Sequence, residues 1–124
     1  MCLKIINVNP SKRKTEDAFV RAVCLALNIQ YKQAYRAIAD YSLGACLSMN
    51  DARAIKGFMK SLGYNEQRLI NNCNVEDFID NYAEKGRIYV LKIGRSTTTV
   101  VKNKIAYDSY DVGKKSVNSY WKIN

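Results

Sequence analysis

The chain has 124 residues, the size of one ordinary domain, and its 48% hydrophobic and 10% aromatic content excludes a disordered chain. The net charge is +9, and residues 1–62 carry ten basic against four acidic side chains, whereas residues 63–124 carry ten against seven. We therefore expect one globular domain over residues 1–124 that attracts anionic partners, such as an acidic protein face, RNA or DNA.

The cysteine pattern gives no sign of a metal site. Cys2, Cys24, Cys46 and Cys73 are widely spaced, no C-x-x-C pair occurs, and the chain contains no histidine. We expect free, mostly buried thiols and neither a cofactor nor a metal. The N-terminal apolar stretch is too short for a signal peptide, and no run reaches the roughly 18 apolar residues of a membrane span, so we expect a cytoplasmic protein.

A charged loop follows a short predicted strand in residues 1–9. Pro10 interrupts the alternating pattern, and Lys12, Arg13 and Lys14 follow it. This loop is either a phosphate-binding patch or a solvated connection, and the sequence leaves both interpretations open.

Four helices are predicted next, over about 16–27, 31–43, 51–62 and 75–82, with Thr15, Asn50 and Asn74 as N-caps of the first, third and fourth. The first is apolar over most of its circumference and should lie at the centre of the fold, with Cys24 as a structural thiol. On the third, Arg53, Lys56 and Lys60 share a face opposite the apolar stripe. That row is either an anion-binding surface or a solvated helix face.

Beyond Gly86 the pattern changes to strands. Residues 87–93 form an apolar, β-branched run typical of a central strand, and residues 97–101 and 105–107 should form a tight hairpin through residues 102–104. A turn at 111–114 leads to a last strand over 117–123. The order predicts an α+β domain whose N-terminal helices pack on a C-terminal antiparallel meander.

The missing histidine limits the chemistry. Cys-His and Ser-His-Asp sites are excluded, and no glycine-rich phosphate loop is present. A lysine-activated serine, a carboxylate pair or an Asp/Glu metal site remains open, but no spacing favours any of them. Asp108 and Asp111 are compatible with paired metal carboxylates or with turn formation.

Four segments, at residues 16–23, 89–96, 102–111 and 117–121, resemble a group of small phage-encoded proteins with a papain-like, C39-peptidase-like fold. The resemblance spans nearly the whole chain. It implies that the nucleophile position is Ala18, the histidine position Ser96 and the position of the orienting acid Asp108. Ala18 and Ser96 lack the thiol and imidazole that such a site needs. Ala18 alone could be an engineered change, but two departures favour a natural pseudoenzyme.

The resemblance therefore implies a non-catalytic binding protein, an inhibitor of a host defence nucleoprotein of the anti-CRISPR type. Beside the loop and the helix row, we expect Arg95, Lys102 and Lys104 to border the vestigial cleft. Tyr110 and Trp121 would stack on bases if exposed, but both are expected in the core. Two alternatives remain: a hydrolase that uses Ser96 or a thiol with an unconventional base, and a plain nucleic-acid-binding protein.

Overall fold

In the computed structural model, which describes residues 2–69, 71–94 and 97–124, helices and strands mix as in an α+β fold. The elements are β1 (Cys2–Ile5), α1 (Ala18–Leu27), α2 (Tyr31–Gly44), α3 (Ala52–Ser61), β2 (Gln67–Arg68), α4 (Val75–Asn81), β3 (Ile88–Ile93), β4 (Thr97–Lys102), β5 (Ile105–Asp108) and β6 (Val117–Lys122). Within the described ranges, no helix is both long and apolar enough to cross a membrane.

One six-stranded mixed sheet has the order β1-β5-β4-β3-β6-β2. The predicted hairpin is confirmed, because β4 and β5 are joined by two residues, Asn103 and Lys104, that both have positive φ, as a type I′ turn requires. The predicted meander holds for β3, β4 and β5 only. The C-terminal strands pair antiparallel as predicted, but β6 returns to the opposite edge of β3 instead of continuing the meander, and β1 adds a parallel pair with β5, so the sheet is mixed.

Helices cover both faces of the sheet. The central strand β4 alternates, so that Val100 packs with the core beneath α1, α2 and α3, whereas Val101 packs with Phe78 and Ile79 of α4. The helices do pack on the strands as predicted, but α4 covers the face opposite to that covered by α1, α2 and α3. α1 is buried between the sheet and α2, as its apolar circumference requires.

The helix starts differ in part from the predicted caps. α4 begins as expected, with a capping box in which the Asn74 side chain accepts from the Asp77 N–H and the Asp77 carboxylate accepts from the Asn74 N–H. The cap of α3 is Asp51 rather than Asn50, since its carboxylate accepts from the Arg53 N–H. The cap position of α1 is Asp17 rather than Thr15. The Asp17 side chain makes no capping bond and instead accepts hydrogen bonds from Arg21 and Tyr31.

The prediction of mostly buried thiols was wrong. Cys2 and Cys46 are exposed, Cys24 is partly buried and Cys73 is buried. The Cys24 thiol donates to the Ile29 carbonyl at 3.0 Å and packs beside the core, in agreement with a structural thiol. The pKa values of Cys24 and Cys73 are raised, mainly because burial disfavours the thiolate.

Candidate binding cleft at the start of α1

A buried ion-pair network lies at the start of α1. Arg21 donates from Nε to Asp17 Oδ1 at 2.8 Å and from a terminal guanidinium nitrogen to Asp108 Oδ1 at 3.1 Å. The second Asp17 oxygen accepts from the Tyr31 hydroxyl at 2.8 Å and from the Asn9 amide at 3.0 Å. Asp17, Arg21 and Asp108 are only 5%, 8% and 3% exposed, so the network ties the N-terminal loop, α1, α2 and β5 together.

These contacts shift the titration of the network residues. Burial by itself raises the pKa of Asp17, but the hydrogen bonds from Arg21, Tyr31 and Asn9 outweigh burial, so the pKa lies below its ordinary value. Burial lowers the pKa of Arg21, and its bonds to the two carboxylates reverse that effect and raise the pKa. The pKa of Tyr31 is raised by burial and by its donation to the Asp17 carboxylate. Asp17 and Arg21 therefore stay charged at neutral pH.

A cavity of about 630 Å³ opens beside this network. It is lined by Asn7, Arg13, Lys14, Thr15, Glu16, Asp17, Arg21, Ser109 and Tyr110. A second cavity of about 300 Å³ shares Thr15, Glu16, Arg21 and Tyr110 with the first and extends to Ala18 and Thr97. Together these two cavities form what we call the α1 cleft, and the larger one falls in the size range of small-molecule and peptide-anchor pockets.

The positions implied by the resemblance are partly brought together. Ala18 lies in the first turn of α1 and lines the α1 cleft, and a narrow crevice is lined by both Ala18 and Asp108. Asp108 is bound to Arg21 rather than free to orient another side chain. Ser96 lies outside the described residues. Thr97 lines the same cavity as Ala18.

The basic loop lies at the entrance of the cleft. Lys12, Arg13 and Lys14 are exposed, and Arg13 and Lys14 line the larger cavity. Lys12 instead donates to the Asn7 carbonyl at 2.8 Å, which holds the turn of the loop. Tyr110, expected in the core, is 40% exposed and lines both cavities. Trp121 is 1% exposed and belongs to the core, as predicted, so it cannot stack on a base.

Lys102 and Lys104 do not border the cleft, which corrects their predicted place. The Lys102 ammonium donates to the Leu25 carbonyl at 2.9 Å, in the last turn of α1, whereas Ala18 is the first residue of that helix. Seven residues of helix separate the two ends by about 10 Å. β4 begins at the cleft with Thr97 and ends beside the last turn of α1 with Lys102. Lys104 lies in the turn just beyond Lys102, so it is also distant from the cleft. Arg95, the third expected border residue, lies outside the described residues.

The predicted row on α3 is divided. Arg53 makes a bidentate contact with the Asp51 carboxylate, at 3.1 and 2.9 Å, so its charge is neutralised locally. Lys56 and Lys60 instead line a separate groove that also includes Arg68 of β2. No sequence pattern pointed to Arg68, because β2 is only two residues long and has no strand pattern.

Two further outcomes concern polar residues of the cleft region. Asp111 accepts from the Gly113 N–H at 2.9 Å, so the turn interpretation of Asp111 is correct and the metal-carboxylate pair with Asp108 is not supported. Arg21 was missed as a functional residue. Its position four residues after Asp17 on a helix was the available signal, since such pairs face each other.

Comparison of the chain with protein-family models, with curated proteins and with solved structures gave no match.

Proposed function

We propose that this domain is a non-catalytic binding protein of papain-like architecture, encoded by a phage or another mobile element. Its α1 cleft docks on an acidic face of a host defence nucleoprotein and inhibits it in the manner of an anti-CRISPR protein. One observation carries the proposal: among the described residues, the buried charges at the cleft floor, Asp17, Arg21 and Asp108, are paired with one another, and Ala18 stands where the resemblance implies a nucleophile.

The charged groups of the cleft floor are occupied by one another. Arg21 bonds both Asp17 and Asp108, so neither carboxylate is free to accept a proton from a nucleophile. Ala18 supplies only a methyl group where a helix N-terminus would activate a thiol. None of the four cysteines is among the residues that line the cleft in the described ranges. A floor of this kind supports binding rather than turnover.

The entrance of the cleft supports an anionic partner. Arg13 and Lys14 are exposed beside the half-exposed ring of Tyr110, and the N-terminal half of the chain carries most of the excess positive charge. Exposed tyrosine and arginine are the side chains most enriched in protein-binding surfaces, because they bury a large area and also form hydrogen bonds.

Affinity capture with matched variants tests the proposal. The immobilised chain is exposed to extract from bacterial cells that carry a defence nucleoprotein, and the bound protein and nucleic acid are identified by mass spectrometry and sequencing. The variant Arg13→Ala/Lys14→Ala should bind the captured complex about tenfold more weakly, the change that about 1.4 kcal/mol produces. The control Lys85→Ala/Arg87→Ala removes the same charge from exposed residues outside the cleft and should bind normally.

Capture must be followed by a functional measurement. The purified complex should lose its nuclease or target-binding activity when the chain is added, and the loss should be weaker with Arg13→Ala/Lys14→Ala. The proposal is wrong if no nucleoprotein exceeds background, or if the two double variants bind it equally.

A further inference from the structure

A second basic surface lies between α3 and the edge strand β2. We call it the α3–β2 groove; its lining residues are Lys56, Lys60, Tyr64, Asn65, Glu66, Arg68 and Trp121. Its volume of about 220 Å³ is below the roughly 300–1,000 Å³ of small-molecule sites, so it suits a group presented by a larger ligand.

The charges of the α3–β2 groove are unevenly neutralised. Its one carboxylate, Glu66, accepts a hydrogen bond from the Ser119 hydroxyl and lies 3.9 Å from the Lys56 ammonium. Lys60 and Arg68 are exposed, and no acidic partner lies within ion-pair distance of either in the part of the chain that the structure describes. The groove therefore keeps a net positive charge: Lys60 and Arg68 have no carboxylate partner among the described residues, and the exposed Lys56 is only loosely paired with Glu66.

We infer that the α3–β2 groove binds the phosphates of single-stranded nucleic acid. Lys56 and Lys60 lie one helical turn apart, about 6 Å along the axis, so they present two cations in a row along an extended backbone. Arg68 adds a third cation from β2, and Tyr64, which is partly buried against the core, places an aromatic ring in the lining of the same groove, where a base could stack on it. Cations along a groove beside an aromatic ring are the arrangement that binds single strands without sequence preference.

This inference goes beyond the proposed function and does not depend on it. The α1 cleft and the α3–β2 groove have no lining residue in common. A partner that contains both protein and nucleic acid would contact the two surfaces through different side chains. Variants of one surface should therefore leave the other unaffected.

Fluorescence anisotropy with labelled oligo-dT and oligo-U tests the inference. For three cations in contact with a single strand, the slope of log affinity against log salt should be about −2, so affinity falls roughly 20-fold between about 50 and 200 mM salt. Lys56→Ala/Lys60→Ala should reduce the slope by about 1.4 and weaken binding at least tenfold at low salt. Tyr64→Leu should weaken it about fivefold or more through lost stacking.

Matched controls separate the groove from the general positive charge of the chain. Lys32→Ala/Arg36→Ala removes two exposed cations with the same one-turn spacing from α2 and should change affinity less than twofold. Lys56→Arg/Lys60→Arg keeps the charge and should bind like the parent chain. Glu66→Gln retains a partner for Ser119 but removes the competing carboxylate, so binding should strengthen about threefold.

The outcomes are decisive in either direction. The inference is overturned if the α2 and α3 double variants lose affinity equally or if oligonucleotides do not bind. It is also overturned if an acidic peptide displaces the labelled oligonucleotide fully whereas unlabelled oligonucleotide does not. Arg13→Ala/Lys14→Ala should bind oligonucleotides normally, so a failure of the proposed cleft function leaves this result unchanged. Circular dichroism of each variant confirms that it remains folded.

Discussion

Replacing Thr98 by valine should stabilise the domain. Thr98 is 1% exposed on β4, and its hydroxyl has no hydrogen-bond partner among the residues that the structure describes. The crevice that it lines with Ala18 and Ala22 leaves no room for a water molecule. Because valine has the same branched shape and the same strand preference, Thr98→Val removes the unpaired hydroxyl and little else.

The expected gain follows from the cost of an unpaired buried polar group, about 1–3 kcal/mol. We take the lower end, about 1 kcal/mol, since the hydroxyl rotates to its best electrostatic position. The entropy of unfolding is about 2.1 cal/mol/K per residue, or roughly 260 cal/mol/K for this chain, so Tm should rise by about 4 °C.

Thermal melts followed by circular dichroism or calorimetry measure the shift. The adjacent Thr99 provides the control, because it is also 1% exposed but its hydroxyl donates to the Tyr107 carbonyl at 3.4 Å. Thr99→Val should leave Tm unchanged or lower it by a few degrees. A Tm for Thr98→Val at or below that of the parent chain, or equal shifts for both variants, would refute the reasoning.

Three further predictions follow from burial and close contacts. Arg21→Met should destabilise the fold by about 3 kcal/mol in urea titrations, because Asp17 and Asp108 would stay buried without a cation. The pKa of Asp17 is lower in the folded state than in the unfolded state, so ionised Asp17 stabilises the fold above the unfolded pKa of about 3.9, and this stabilisation is lost as pH falls through the folded pKa. The loss of stability caused by Arg21→Met should therefore shrink in acid. A loss that does not depend on pH would contradict this. In an exposed helix, a Gly→Ala change stabilises by about 1 kcal/mol. Gly57→Ala should instead lower the free energy of unfolding by about 1–3 kcal/mol, because the new Cβ would overlap the Tyr41 hydroxyl. This loss should disappear in a Tyr41→Leu background, and a loss that persists there would argue against the clash. Iodoacetamide should alkylate the exposed Cys2 and Cys46 of the folded chain quickly, the partly buried Cys24 more slowly and Cys73 only on unfolding. Mass analysis that finds Cys24 modified as fast as Cys2 would contradict its partial burial and raised pKa.

Features encoded by neighbouring residues were predictable from the sequence. The capping box at Asn74 forms between residues three apart. The hairpin is recognisable from two β-forming runs separated by a short polar loop that contains Asn103, a residue that adopts positive φ readily, and the β3 run is recognisable from its continuous branched apolar residues. Each signal lies within a few residues of its effect, so no tertiary information was needed.

The start of α1 shows where local rules fail. Thr15 and Asp17 are both good capping residues, and the sequence favours the earlier one. In the fold, the Asp17 carboxylate bonds Arg21, Tyr31 and Asn9 instead of the helix backbone. A side chain that obtains better partners from distant elements gives up its local bond, and only the packed structure shows those partners.

The two candidate surfaces also show which features are local and which depend on the fold. The sequence correctly singled out Arg13, Lys14, Lys56 and Lys60 as exposed cations, because charge and helical spacing are local properties. It could not separate them into two surfaces or exclude Lys102, whose ammonium bonds a carbonyl 77 residues away in the chain. Exposure of a long basic side chain is decided by what the fold places beside it.

The sequence by itself determined which chemistry is excluded, since a chain without histidine has no Cys-His or Ser-His-Asp site in any fold. It also determined the four helices and all the strands except β2, through patterns that span a single element. Only the tertiary structure decided that β6 crosses back to β3, that Arg21 bonds Asp108 87 residues away, and that Lys60 and Arg68 share a groove. These pairings are fixed by burial of the whole core, a property to which distant segments contribute together.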